Sequence, residues 1–397
     1  MTCRWPKWLL LLLSLFPLTA SAPTARGLPH DAYVWQQHWT PALAAAVDGA
    51  GDLVRAWRVL GARADRSGIL RTIEPDWAAL AASGRPVVLV VRLDGQLDHW
   101  DQAALRDAVL ARVRAAPLPL AGLEVDHDCP TARLADYAAL LADLRTGLPA
   151  AMALSITALP TWTGSPGLPA VLQPLTEIVL QVHAVQSPRA GLFAPAQARR
   201  WIDAFDRRTT RPFRVALPTY GTRVSWADDG RLLAVESERP TLAGGGSASE
   251  LIAAPRDVAA LLRDLQADPP AHLAGIAWFR LPTTEDRRTW SLATWRAVVQ
   301  GRTPTAAATP EVVAGDLPGL HHVLLANDGE IDVTLPAAVT LPAGCAVADG
   351  ANAYGLERTA GGLVLQRRQA GLLHGHAREL IGWMRCDAAP EGLHVSP

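Results

Sequence analysis

The stretch AGLEVDHD, Ala121 to Asp128, sets carboxylates at alternate positions: Glu124, Asp126 and Asp128. Side chains alternate along a β-strand, so this spacing predicts a strand that turns all three acids to one face and Val125 and His127 to the other. Like charges crowded together away from water raise one another's proton affinity. A chain that keeps such a row needs buried counter-charges, Arg92 being a candidate, or a use for a protonated carboxyl.

Similar runs recur on both sides of this one. The strand candidates are Asp31–Trp39, Leu53–Ala62, Pro86–Gly95, Ala121–Asp128, Ala151–Pro160, Thr176–Val185, Pro212–Gly221 and Ala274–Pro282. Segments of helical period lie between several of them. The clearest is Thr131–Leu148, where Leu134, Tyr137, Leu141 and Leu144 recur at three- and four-residue steps and Thr131 stands where a cap belongs. Ala194–Arg208 and Ala254–Asp268 behave likewise. Alternating β and α units predict an α/β fold, a (β/α)8 TIM-like barrel over residues 23–302. The alternative, an open doubly wound sheet, lacks its usual glycine-rich turn after the first strand. A long insertion, Thr222–Ser249, follows the seventh strand and is expected on the catalytic face as a lid or as an inert loop. A Pro/Thr/Ala-rich linker is expected at 303–315, and short strand-like runs over 316–397 predict a small all-β, sandwich-like domain.

Composition narrows the function. The chain has 397 residues, 49% of them hydrophobic, and a formal net charge of −1. Nothing there favours nucleic acid or an anionic membrane surface. The only lysine is Lys7, which removes Schiff-base chemistry and any P-loop. Residues 1–22 read as a signal peptide: Arg4 and Lys7, an apolar run Trp8–Thr19, then Ala20–Ala22 as a small-residue cleavage site. The mature chain is therefore expected to be periplasmic or secreted, with no membrane span, and monomeric. Cys345 and Cys386 can pair in such a compartment; Cys129 reads as a small buried thiol.

In a barrel the C-terminal ends of the strands face the active site. They deliver His38 and Trp39 from the first, Asp128 from the fourth, Gln181 and His183 from the sixth, Tyr220 from the seventh and Trp278 from the eighth. Aromatic rings beside clustered carboxylates suit sugars, because rings stack on pyranose faces while carboxylates handle hydroxyls and the glycosidic oxygen. Trp35, Trp57, Trp162 and Trp226 are further candidates for a sugar groove, although a lone tryptophan more often packs. His38 and His183 with Asp126 could be read as metal ligands; hydrogen-bonding roles suit them better, and neither a metal nor a cofactor is expected.

The fourth strand resembles the D-G-x-D-x-D-x-E strand of glycoside hydrolase family 18. Gly122 falls on the glycine, Glu124 and Asp126 on the first and second acids of the motif's acidic series, and Asp128 on the catalytic glutamate. Leu217–Gly221, LPTYG, is similar to the family's P-x-Y-G segment, and Trp278 to its eighth-strand tryptophan. Over nearly the whole mature chain the sequence also resembles a family of bacterial exported proteins, domain of unknown function 3142, through YVWQQHW (33–39), DHDCPTARL (126–134), SITALPTW (155–162) and IGWMRC (381–386). Asp128 is one methylene shorter than the family 18 glutamate, and LQVHAV stands where family 18 often has Met-x-Tyr-Asp. These resemblances imply an exported glycoside-hydrolase-like protein acting on an envelope or extracellular polysaccharide or oligosaccharide, with Asp128 as general acid supported by Asp126 and Glu124. The other reading is a non-catalytic carbohydrate-binding or envelope-scaffold protein on the same barrel.

Overall fold

A computed structural model of the chain describes residues 27–98, 100–184, 189, 191–227, 229, 231–236, 247–286, 288–303, 307–386 and 392–396. The expected signal peptide and most of the glycine-rich part of the insertion lie outside these residues. Eight strands form the barrel: β1 His30–Val34, β2 Ala56–Ala64, β3 Val87–Leu93, β4 Leu120–His127, β5 Ala153–Ala158, β6 Glu177–Gln181, β7 Phe213–Pro218 and β8 Leu273–Phe279. Each pairs in parallel with its neighbours, and β1 pairs with both β2 and β8, which closes the ring. A short antiparallel strand, Leu70–Thr72, extends β2 at one edge.

A helix follows every strand: α1 Pro41–Ala50, α2 Trp77–Ala82, α3 Gln102–Arg114, α4 Leu134–Gly147, α5 Leu168–Leu172, α6 Pro195–Asp206, α7 Pro255–Ala267 and α8 Leu292–Val299. The starts of α1, α2, α3 and α8 are capped by the side chains of Thr40, Asp76, Asp101 and Ser291. Thr131 does not cap α4. It opens a 3-10 turn, Thr131–Arg133, whose Arg133 N–H donates to the Pro130 carbonyl, and the helix begins one residue later. The main core lies between strands and helices and includes Trp57, Trp162, Trp278, Trp290 and Trp295, all fully buried.

The inside of the barrel is layered. Its floor is ionic. Arg58, 1% exposed, pairs with Asp31 from β1, Glu124 from β4 and Glu177 from β6, and Arg214 from β7 pairs with Asp31 and Glu177. Gly275 on β8 leaves room there, since a Cβ at that position would collide with the Arg214 guanidinium and the Pro29 carbonyl. Above the floor lies a collar of Tyr33, Val90, Val179, Ala216 and Ala277. The Tyr33 hydroxyl donates to Glu124 Oε1 at 2.5 Å, joining the two layers.

The insertion after β7 folds as a three-stranded antiparallel sheet, with Gly221–Trp226 between Leu232–Glu236 and Ser247–Ile252. The C-terminal region carries two four-stranded sheets. One is ordered Thr309–Ala314, Leu320–Ala326, Arg378–Cys386, Cys345–Gly350; the other Tyr354–Thr359, Gly362–Arg367, Ala338–Thr340, His394–Ser396. Val323 and Ile381 of the first share a core with Val339 and Leu365 of the second, a sandwich-like arrangement. The strand Thr309–Ala314 begins inside the segment read as linker, where Thr309 to Ala314 pair with Ala326 to His321. A disulfide joins Cys345 and Cys386, which face each other across adjacent strands. Asp332, fully buried, ties this region to the barrel: its Oδ2 accepts from the Ser291 N–H at the start of α8 at 2.7 Å, and its own N–H donates to the Thr294 hydroxyl.

Candidate functional site

The acidic row of β4 occupies one face, inside the barrel, at three depths. Glu124 is fully buried in the floor, held by Arg58, Tyr33 and the hydroxyls of Ser155 and Thr157. Asp126 sits higher, its side chain 7% exposed, and Asp128, just past the strand end, is 41% exposed. Val125 and His127 turn outward. The Val125 carbonyl accepts from the Tyr137 hydroxyl of α4, and the His127 ring lies between Trp100 and Tyr137.

Arg92 from β3 holds the upper two acids. One Nη donates to Asp126 Oδ2 at 2.8 Å and the other to Asp128 Oδ2 at 2.6 Å. Burial pushes the Asp126 carboxyl up to about 6, against the pull of Arg92, and the charges of Asp128 and Glu124 add to the rise. Asp126 thus stays protonated into the mildly acidic range. Gly95, after β3, lies against Asp128; a Cβ there would stand 2.9 Å from the Asp128 carbonyl oxygen and 3.2 Å from its Cβ.

A cleft of about 250 Å³ opens above the collar at the C-terminal ends of the strands. Asp126, Asp128 and Arg92 form one wall, Gln181, His183 and Tyr220 another, and Trp35, Phe279 and Arg63 take part in the rest. Burial drives the His183 imidazole down to about 3, so it is neutral, and pushes the Tyr220 phenol up to about 12. The Tyr220 hydroxyl lies 3.4 Å from His183 Nδ1, while His183 Nε2 is buried without a hydrogen-bond partner among the described residues. Phe279 stacks on His183 and meets Trp35 and Tyr220 edge to face. A second cleft of about 390 Å³ adjoins this one through Gln37 and contains His38, Thr40, Glu285 and Asp286.

Of the residues singled out in the sequence, the structure thus gathers Asp126, Asp128, Gln181, His183 and Tyr220 around one cleft. It leaves out four. Glu124 lies beneath it, neutralised by Arg58. Trp278 faces the helices, donating its indole N–H to His30 Nδ1 at 3.0 Å and packing on Trp290 and Trp295, because Ala277 and Phe279 are the inward residues of β8. Trp39 packs half-buried on the main core. His38 is exposed in the neighbouring cleft, away from His183 and Asp126. Among the described residues no group of three or more His, Cys, Asp or Glu is arranged to hold a metal ion. Cys129 is a free, buried thiol pushed up to about 12 by burial. The sequence reading missed Phe279 and Arg63 as cleft residues and did not commit to Trp35; the Tyr33–Trp35 alternation within YVWQQHW was the available signal for the last.

Residues 83–284 match the family model described as domain of unknown function DUF3142. The chain belongs to the DUF3142 family. The DUF3142 match covers β4, β7 and β8 and stops short of the sandwich-like region, where residues 311–387 match a second model, domain of unknown function DUF8456. No curated protein matches the sequence. Among solved structures, the DUF3142 barrel is similar to the spore cortex-lytic enzyme SleL of Bacillus megaterium, with a TM-score of 0.52 at 11% identity over 71% of this chain and 75% of that one. SleL of Bacillus cereus gives 0.50 at 13% identity over 70% and 75%, and a chitinase from Chromobacterium violaceum 0.50 at 14% over 69% and 99%. At such identities the likeness establishes the fold.

Proposed function

We propose that this protein is an exported glycoside-hydrolase-like protein that acts on an envelope or extracellular polysaccharide, with Asp128 as its general acid and Asp126 in support. The observation that carries this reading is geometric: an open carboxyl, Asp128, and a buried one behind it, Asp126, share Arg92 in a cleft walled by Trp35, Phe279 and Tyr220. Proton donation to a glycosidic oxygen needs a carboxyl within hydrogen-bond reach of it. Asp128 is the member of the pair a ligand meets first. Asp126, behind it and sharing Arg92, supplies negative charge toward a cationic transition state when ionised. The rings present apolar faces to the sugar, and Gln181, His183 and Tyr220 offer hydrogen bonds to its hydroxyls. The Cys345–Cys386 disulfide fits an exported protein, since it suits an oxidising compartment. Among the described residues no helix is long and apolar enough to cross a membrane.

One observation favours the second reading, a non-catalytic sugar-binding protein. Arg92 already occupies an oxygen of Asp128, and a pinned carboxylate is well suited to accept hydrogen bonds from hydroxyls. A single comparison separates the two. Purified protein and its Asp128→Asn variant are offered a panel of envelope-derived and extracellular oligosaccharides, with binding followed by calorimetry and products by mass spectrometry. Hydrolysis predicts wild-type cleavage that falls at least a hundredfold in the variant while binding persists. Tight binding with no cleavage by either protein supports the binding reading, and no binding at all removes both.

A further inference from the structure

We propose that the cleft selects a sugar bearing a carboxylate, and that Arg63 is the residue that reads it. This rests on the cleft being a carbohydrate site and goes on to name the chemical class of that carbohydrate.

The starting observation is an unmatched charge. At the mouth of the barrel, strand register lays four residues in one row: Arg63 beside Arg92, Arg92 beside Asp126, and Asp126 beside Thr157. Both terminal groups of the Arg92 guanidinium are taken by Asp126 and Asp128. Arg63 lines the same cleft and is exposed, and no hydrogen bond or ion pair holds it among the described residues. The other arginines of its hairpin are matched, Arg66 with Asp98 and Arg71 with Asp65. Asp65 senses the charge of Arg63 only as the weakest of its influences. Two guanidinium groups therefore stand on adjacent strands, and only one has its counter-charges.

A guanidinium presents a planar fork of N–H donors that fits a carboxylate through two parallel, charge-assisted hydrogen bonds. A neutral hydroxyl fills part of that fork and leaves the charge uncompensated. The rest of the cleft does not supply a rival cation, since burial keeps His183 neutral. Charge is also divided along the mouth of the cleft, with Asp128 at the end of β4 and Arg63 two strands away on β2. An anionic group is repelled from the first and drawn to the second. The sugar is thereby turned so that its carboxylate lies over β2 and its glycosidic oxygen is left for Asp128.

Two kinds of sugar carry such a group: a hexuronic acid, with the carboxylate on the ring carbon chain, and a lactyl-ether amino sugar of a peptidoglycan strand, with it on a side arm. The test uses oligogalacturonates and peptide-free peptidoglycan strands as probes, each beside its carboxyl-reduced form, with binding measured by calorimetry at low and moderate salt. Wild-type protein is expected to bind at least one acid form tenfold or more tightly than its reduced twin, and the arm that shows the preference identifies the sugar. In Arg63→Gln the preference is expected to fall to about onefold, and Arg63→Lys to restore part of it; thermal melts check that both variants fold. Equal binding of acid and reduced forms by wild type overturns the proposal while leaving the carbohydrate reading intact. So does a preference that survives in Arg63→Gln. Failure of every probe, charged or neutral, to bind removes the carbohydrate reading and this proposal together.

Discussion

At the scale of the residue, Asp126 carries a pH dependence of its own. Its folded carboxyl titrates at about 6, raised chiefly by burial, whereas an unfolded aspartate titrates near 3.8. Between those values the folded chain binds the extra proton, so the contribution of this group to stability falls as pH rises through the window. The change is on the order of 3 kcal/mol when complete, at about 1.4 kcal/mol per unit. Burial also lowers His30 and His127 to about 4 and His183 to about 3, which raises stability with pH over the same range. The Asp126 component is therefore read as a difference: the denaturant midpoint of wild type minus that of Asp126→Asn is expected to decline from pH 4 to pH 7, and a flat difference would remove the assignment. The alternating acids were readable in the sequence, and so was Arg92 as a counter-charge. The separate fate of each acid was not. It depends on Arg58, which reaches Glu124 from a strand 66 residues away, and on a depth in the barrel that no local pattern reports.

At the scale of the element, β4 and β8 show why some strands reveal their inner face and others do not. Strands buried on both sides read as continuous apolar runs. In β4 the charges mark the lumen side. In β8, LAGIAWF, both faces are apolar, so nothing local separates Trp278 from Phe279 as the cleft residue, and the expected register is one residue off. Cavity formation at a fully buried tryptophan costs about 3–5 kcal/mol. Trp278→Ala is therefore expected to lower the melting temperature sharply while sugar affinity per folded molecule stays the same. Trp35→Ala, at the half-buried cleft wall, is expected to do the reverse and weaken binding several-fold with little loss of stability. Paired melting and calorimetry on the two variants decide it, and a sugar-binding defect in folded Trp278→Ala protein would restore that residue to the site.

At the scale of the whole molecule, the alternation of strands and helices was enough to give the barrel, because each βα unit carries its own periodicity. The sandwich-like region was legible only in part. Its strands at Ala338–Thr340 and His394–Ser396 are three residues long, too short for a period of two to show. The Cys345–Cys386 bond closes a loop with a sequence separation of 41 residues. Constraint of an unfolded loop of that length is worth about 3–4 kcal/mol. A Cys345→Ser/Cys386→Ser variant is expected to melt its C-terminal region earlier, seen as protease cleavage within 309–386, while the barrel resists. Simultaneous loss of both regions would mean that the contact of Asp332 with α8 makes them one cooperative unit.

The ionic floor bears on how the ring finds its shear. A slip of one residue turns a strand inside out, and the hydrophobic pattern resists it. A slip of two keeps every side chain on its proper side, so the apolar pattern scarcely notices. Arg58 notices, because Asp31, Glu124 and Glu177 reach it from three different strands at one height. A two-residue shift of β1, β4 or β6 carries a carboxylate out of that plane and leaves it bare among Val90, Val179 and Ala277. The floor thus acts as an alignment key: it admits one stagger of the staves and rejects the neighbouring staggers that oiliness alone would accept. The same key fixes the height at which Asp126 and Asp128 emerge above it.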